Sequence, residues 1–100
     1  MLEELKSKYK TVYTVIAPLN DEETEHATIY LKKPDRVIYS IVSKLASGND
    51  PLKAIEAALK NLYIGGDKLD LILDNDDALM SCEVAIVEIL KKKEAVLKKN

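Results

Sequence analysis

One hundred residues with 47% hydrophobic side chains, 30 of them Leu, Ile or Val, and only three Pro and three Gly predict one small folded domain and exclude a disordered or low-complexity chain. Fifteen Lys and Arg stand against 17 Asp and Glu, a net charge of −2, so no overall field draws the chain to phosphate backbones and nucleic acid is not an expected partner. With no Phe, no Trp and five Tyr as the only aromatic residues, aliphatic packing has to build the core.

The start, Met1-Leu2-Glu3-Glu4-Leu5-Lys6, is charged throughout and lacks the basic-then-apolar pattern of a secretory signal, so the chain is expected to stay in the cell that makes it. No stretch approaches the roughly 18 apolar residues of a membrane span. Residues 1–8 read as a flexible lead. From Tyr9 to Ala17 the chain is rich in β-branched and aromatic residues and is stopped by Pro18, which predicts a strand. An acidic connection follows, with Asn20, Asp21, Glu22, Glu23 and Glu25, longer than a tight turn. His26 to Lys32 then alternates with period two, placing Ala27, Ile29 and Leu31 on one face and His26, Thr28, Tyr30 and Lys32 on the other. The two strands, within 9–32, are expected to pair antiparallel and to lay their apolar face on the helices that follow.

Pro34 is expected at the first position of a helix whose positive end Asp35 complements, with Val37, Ile38, Ile41, Val42 and Leu45 forming its apolar stripe and Gly48 ending it in the left-handed conformation. Asp50-Pro51 repeats the device as N-cap and first helical residue. Leu52, Ile55, Leu59 and Leu62 line that helix, and Ala54 and Ala58 permit close approach. Gly65-Gly66-Asp67 reads as a helix stop, and residues 68–73 as a turn or short helix, with strand left open. Asp74, Asn75 or Asp76 then caps a last helix running from Asp77 to about Lys99, expected to be the longest. Its apolar positions, Leu79, Met80, Val84, Ile86, Val87, Ile89 and Leu90, cover more than one stripe, so it is expected to touch neighbours on two sides, one of which could be another molecule. Its acidic start and lysine-rich end, Lys91 to Lys99 with Glu94 as the opposing acid, follow the helix dipole. The expected architecture is thus α+β, a single domain over 1–100: an N-terminal antiparallel β-hairpin packed on a bundle of three to four helices within 34–99.

No constellation of catalytic or metal-binding residues emerges. After Asp74 and Asp76 a calcium loop would need an oxygen ligand at Ala78, a glycine at Leu79 and a Glu at Ala85, so the acids read as helix caps. Gly65-Gly66-Asp67 lacks the downstream Gly-Lys-Ser/Thr of a phosphate loop. Cys82 has no second cysteine and lies far along the chain from the one histidine, His26; a buried structural thiol and a surface strand residue are the expected roles. Catalytic, cofactor and metal sites are therefore assigned to no residue, and an enzyme is not expected. Arg36, the one arginine, is expected to pair with Asp35, Glu25 or an acid on another helix, while Tyr30 and Tyr39 flank the strand–helix junction with an amphipathic surface suited to protein contacts.

The string Tyr30-Leu31-Lys32-Lys33-Pro34-Asp35-Arg36, the helix opening Asp50-Pro51-Leu52-Lys53, the step Tyr63-Ile64-Gly65-Gly66-Asp67 and the Lys/Glu-rich end together resemble a family of small bacteriophage tail assembly chaperones, over roughly residues 28–99. Tyr63 stands where a Trp commonly precedes the Ile-Gly-Gly-Asp step. The resemblance implies a non-catalytic viral protein, in the cytoplasm of the bacterial host, that holds apolar helical segments of a long tape-measure protein until tail-tube subunits displace it. A virion structural adaptor, or a homo-oligomeric interaction protein of a phage or prophage, is the alternative. Tyr30, Arg36, Tyr39, Tyr63, Met80, Val84 and Val87 are the expected partner-binding residues, the partner being a tape-measure or tail-tube protein or a second copy, with no nucleic acid, membrane or cofactor.

Overall fold

A computed structural model of the chain describes residues 1–48, 50–91 and 95–100. Its elements are α1 (Leu2–Lys8), β1 (Val12–Pro18), β2 (His26–Lys32), α2 (Arg36–Ser47), α3 (Pro51–Leu62), β3 (Tyr63–Gly66), α4 (Asp70–Leu73), α5 (Asp76–Ser81) and α6 (Glu83–Leu90). The fold is α+β. The expected hairpin is present, with β1 and β2 antiparallel from Val12↔Lys32 to Pro18↔His26. Asn20 shapes its acidic loop: the side-chain oxygen accepts the amides of Thr24 and Glu25, and Glu23 takes φ 54°.

The pairing register puts Val15 opposite Ile29 and Ala17 opposite Ala27, so the buried face of β1 meets that of β2. Against this face pack α3 and α5, and α2 packs on α3. Ile29, Leu31, Leu59, Leu62, Ile72 and Cys82 are the largest fully buried side chains. Each Leu or Ile so buried contributes on the order of 1.5–3 kcal/mol relative to exposure. All five tyrosines stand half-buried at the rim, so the core is aliphatic as the composition requires. Cys82 is buried and His26 exposed on its strand, as expected.

Several expectations are corrected. Residues 2–8 form a helix with no fully buried residue. The first strand begins at Val12 and includes Pro18, which is tolerated because β1 is an edge strand. Pro34 precedes α2: the Asp35 carboxylate accepts the Ile38 amide at 3.0 Å, so Asp35 is the cap and Arg36 the first helical residue. Within the expected α2 stripe, Ile38 and Val42 are buried, but Val37 is 65% and Ile41 36% exposed. Gly48 lacks the left-handed φ, and its amide donates to the Leu45 carbonyl at 3.1 Å. Asp50 caps α3 through the Lys53 amide at 3.1 Å, with Pro51 in the first turn, as expected.

The Gly65-Gly66 step closes a third strand. β3 pairs antiparallel with β2, giving the order β1-β2-β3. Gly66 has φ 101°, and a Cβ there would lie 2.5 Å from the Thr28 carbonyl oxygen; only glycine allows this approach. Gly65 faces Tyr30 across the ladder, and the ends of Leu5 and Met1 lie where its side chain would stand, so its bareness lets α1 close on that face of the sheet. Residues 70–73 settle as the short helix α4.

The long C-terminal helix is the largest correction. Among the described residues the helical stretch ends at Leu90 and is broken at Cys82, so α2 and α3, at 12 residues each, are the longest helices. In a continuous helix the Cys82 amide would donate to the Ala78 carbonyl. Instead that carbonyl accepts from the Ser81 hydroxyl at 2.6 Å and the Cys82 thiol at 3.4 Å, and the Cys82 amide turns to Leu79 at 3.1 Å. Side-chain competition for a helical carbonyl tightens and bends the turn. Residues 95–100 carry no regular secondary structure, and Lys92, Lys93 and Glu94 of the expected basic end lie outside the described residues.

Candidate protein-binding surface

The break at Cys82 sets what α5 and α6 expose. Asn75 caps α5 by accepting the Ala78 amide at 3.1 Å, and its amide nitrogen donates to the Leu19 carbonyl at 3.0 Å, which ties the start of α5 to the end of β1. From that anchor Ala78, Leu79, Cys82 and Ile86 turn inward. The opposite side then holds Met80, Val84 and Val87, at 43%, 78% and 59% exposure. Met80 stands on α5, and Val84 and Val87, one turn apart, on α6, so the open apolar side chains lie on both sides of the break. Three of the seven expected partner-binding residues are thus exposed on these two helices.

The other four stand elsewhere and in mixed roles. Tyr30 is half-buried on β2, on the face that α1 approaches. Tyr63 opens β3, and its hydroxyl donates to the Asp67 carbonyl at 2.8 Å, a structural bond that clasps the strand end. Arg36 and Tyr39 lie in the first turn of α2, Arg36 exposed and Tyr39 half-buried. The ion pairs among the described residues, Lys53–Asp50 and Lys60–Glu56, do not include Arg36, contrary to the pairing expected of it.

Further apolar side chains are exposed on other elements. Val37 and Ile41, one turn apart on α2, are open, and so is Ile16 on β1 at 62%. The signal for Val37 and Ile41 is their place at one edge of the α2 stripe, whose centre, at Ile38, Val42 and Leu45, is what packs inward.

Two shallow hollows adjoin this region. One, of about 210 Å³, lies between the edge of β1 at Tyr13, Thr14 and Val15 and the α6 residues Ala85, Glu88 and Ile89. The other, of about 200 Å³, is lined by Pro18, Leu19, Asn20, Asp21, Asn75 and Asp77. Neither holds a cysteine, histidine or paired base beside a nucleophile, and among the described residues no three His, Cys, Asp or Glu side chains are grouped to hold a metal ion. Burial pushes the Cys82 thiol pKa up, which keeps it protonated and unreactive. Lys60 is held above its ordinary value by its hydrogen bond to Glu56, an exposed i,i+4 pair. No helix among the described residues is long and apolar enough to cross a membrane.

No family model and no curated protein sequence matches the chain. In fold it is similar to the solved structure of uncharacterised protein rbstp2171 from Bacillus stearothermophilus, with a TM-score of 0.70 and 19% sequence identity over 99% of this chain and 100% of that one. At that identity the likeness concerns the fold alone.

Proposed function

We propose that the protein is a non-catalytic binding factor of the tail assembly chaperone kind, which holds apolar helical segments of a tape-measure protein on the apolar side chains that α5 and α6 expose. The observation that carries this reading is the exposure of Met80 on α5 and of Val84 and Val87 on α6. An amphipathic helix lays its apolar face on such side chains through anchors at i, i+3 or i+4, and i+7. Aliphatic and Met side chains without rigid aromatic anchors adapt to many similar helices, which suits a client with a long repetitive apolar pattern. Val37 and Ile41 on α2 offer a second, smaller apolar row for the same kind of client.

The test is co-expression with a phage tape-measure protein. The native chain is expected to keep the long protein soluble and to co-purify with it. The variant Val84→Glu/Val87→Glu, which places charge on the outside of α6 without entering the core, is expected to lose both effects. Equal solubility of the tape-measure protein with either form, or with neither present, overturns the reading.

A further inference from the structure

Helix α6 is apolar nearly all round: Ile86 enters the core, Ile89 and Leu90 pack half-buried against it, and Val84 and Val87 face outward. A helix apolar on every side is ordinarily buried on every side. The outward face also carries charge in a fixed order. Glu83 begins the helix, Lys91 follows its last residue as the C-cap, both are exposed, and each stands four residues from Val87.

We propose that this face is covered by the same face of a second copy, the two α6 helices crossing antiparallel about a two-fold axis at Val87. In that register Val87 meets Val87, Val84 lies beside Leu90 of the other copy, and Glu83 of each chain faces Lys91 of the other. Charge chooses the arrangement. A parallel pair would set Glu83 against Glu83 and Lys91 against Lys91, and an antiparallel pair centred between Ala85 and Ile86 would bring Glu83 to Glu88. The antiparallel pair about Val87 matches both charges and opposes the two helix dipoles. It is isologous, so the arrangement closes at two copies. Eight residues of helix span about 12 Å. That is less than a standard interface offers, so the dimer is concentration-dependent and an apolar client helix competes with it for Val84 and Val87.

Sedimentation velocity on the full chain from about 10 µM to about 1 mM tests the pairing. The native protein is expected to pass from monomer to dimer within that range. Glu83→Lys and Lys91→Glu are each expected to weaken the dimer about tenfold, and the double variant to restore it to within about twofold, because the exchanged charges again face each other. Circular dichroism that matches the native chain shows that each variant is folded. In air, Val87→Cys is expected to form a disulfide-linked dimer and Val84→Cys to form far less, since only position 87 sits on the axis. A chain that stays monomeric at about 1 mM, a double variant no better than either single one, or equal cross-linking at 84 and 87 overturns the pairing. None of these results depends on a client, so the proposed chaperone activity fails or stands separately in the co-expression assay.

Discussion

Thr28 and Asp67 bind each other twice: the Asp67 carboxylate accepts the Thr28 amide at 2.8 Å, and the Asp67 amide donates to the Thr28 carbonyl at 2.8 Å. The pair spans 39 positions in sequence and locks the end of β3 to the middle of the hairpin. Tyr63 reinforces it through its hydroxyl on the Asp67 carbonyl. The Tyr63-Ile64-Gly65-Gly66-Asp67 step is therefore a strand with a clasp, and it positions α4 and α5 behind the sheet.

Gly66→Ala is expected to destabilise the fold by about 1–3 kcal/mol, because a Cβ at φ 101° meets the Thr28 oxygen at 2.5 Å and the Ile29 Cα at 2.9 Å. Urea unfolding measures this. Gly65→Ala meets only the side-chain ends of Leu5 and Met1, at 3.3 Å each, and should cost less by lifting α1. Equal losses at the two positions would contradict the backbone account.

Asp67→Ala removes the acceptor of the Thr28 amide but leaves the backbone bond in place. The expected loss is about 1 kcal/mol, read from the shift of the urea midpoint. Asn75→Ala strips both the α5 cap and the tie to Leu19 and is expected to cost about 1–2 kcal/mol.

Ile86→Ala and Val87→Ala separate core from surface on one helix. The first side chain is 3% exposed and the second 59%. Ile86→Ala is expected to lower stability by about 2–5 kcal/mol, whereas Val87→Ala should stay within about 0.5 kcal/mol in the monomer. Thermal or urea unfolding at low protein concentration makes the comparison.

Cys82 links pH to stability through burial. Its thiol pKa is raised in the folded chain, so the stabilising difference is complete below the unfolded-state value, roughly 8.5 for a free thiol, and is lost as pH rises through the folded-state value. Unfolding midpoints measured from neutral to alkaline pH should fall more steeply for the native chain than for Cys82→Ala. At neutral pH, alkylation of Cys82 should proceed only as fast as the protein opens. Rapid labelling of the native state would contradict its burial among Ala78, Leu79 and Ile86.

Local chemistry made much of this protein legible before any tertiary information. The alternation of Ala27, Ile29 and Leu31 named the buried face of β2, and Asp50-Pro51 marked the start of α3, because period and capping act within a few residues. The absence of Phe and Trp determined an aliphatic core. Tertiary structure decided the rest. Whether Tyr63–Gly66 is a helix end or a strand depends on Thr28 and Ile29, which stand more than 30 positions earlier and offer the ladder and the clasp. Whether the last helix runs on or bends at Cys82 is decided where Ala78, Leu79 and Cys82 are buried in the core, with the Ser81 hydroxyl and the Cys82 thiol on the Ala78 carbonyl in place of a backbone amide. The exposure of Met80, Val84 and Val87 was likewise decided by packing: a helical pattern lists which residues share a face, and only packing selects the face that meets solvent.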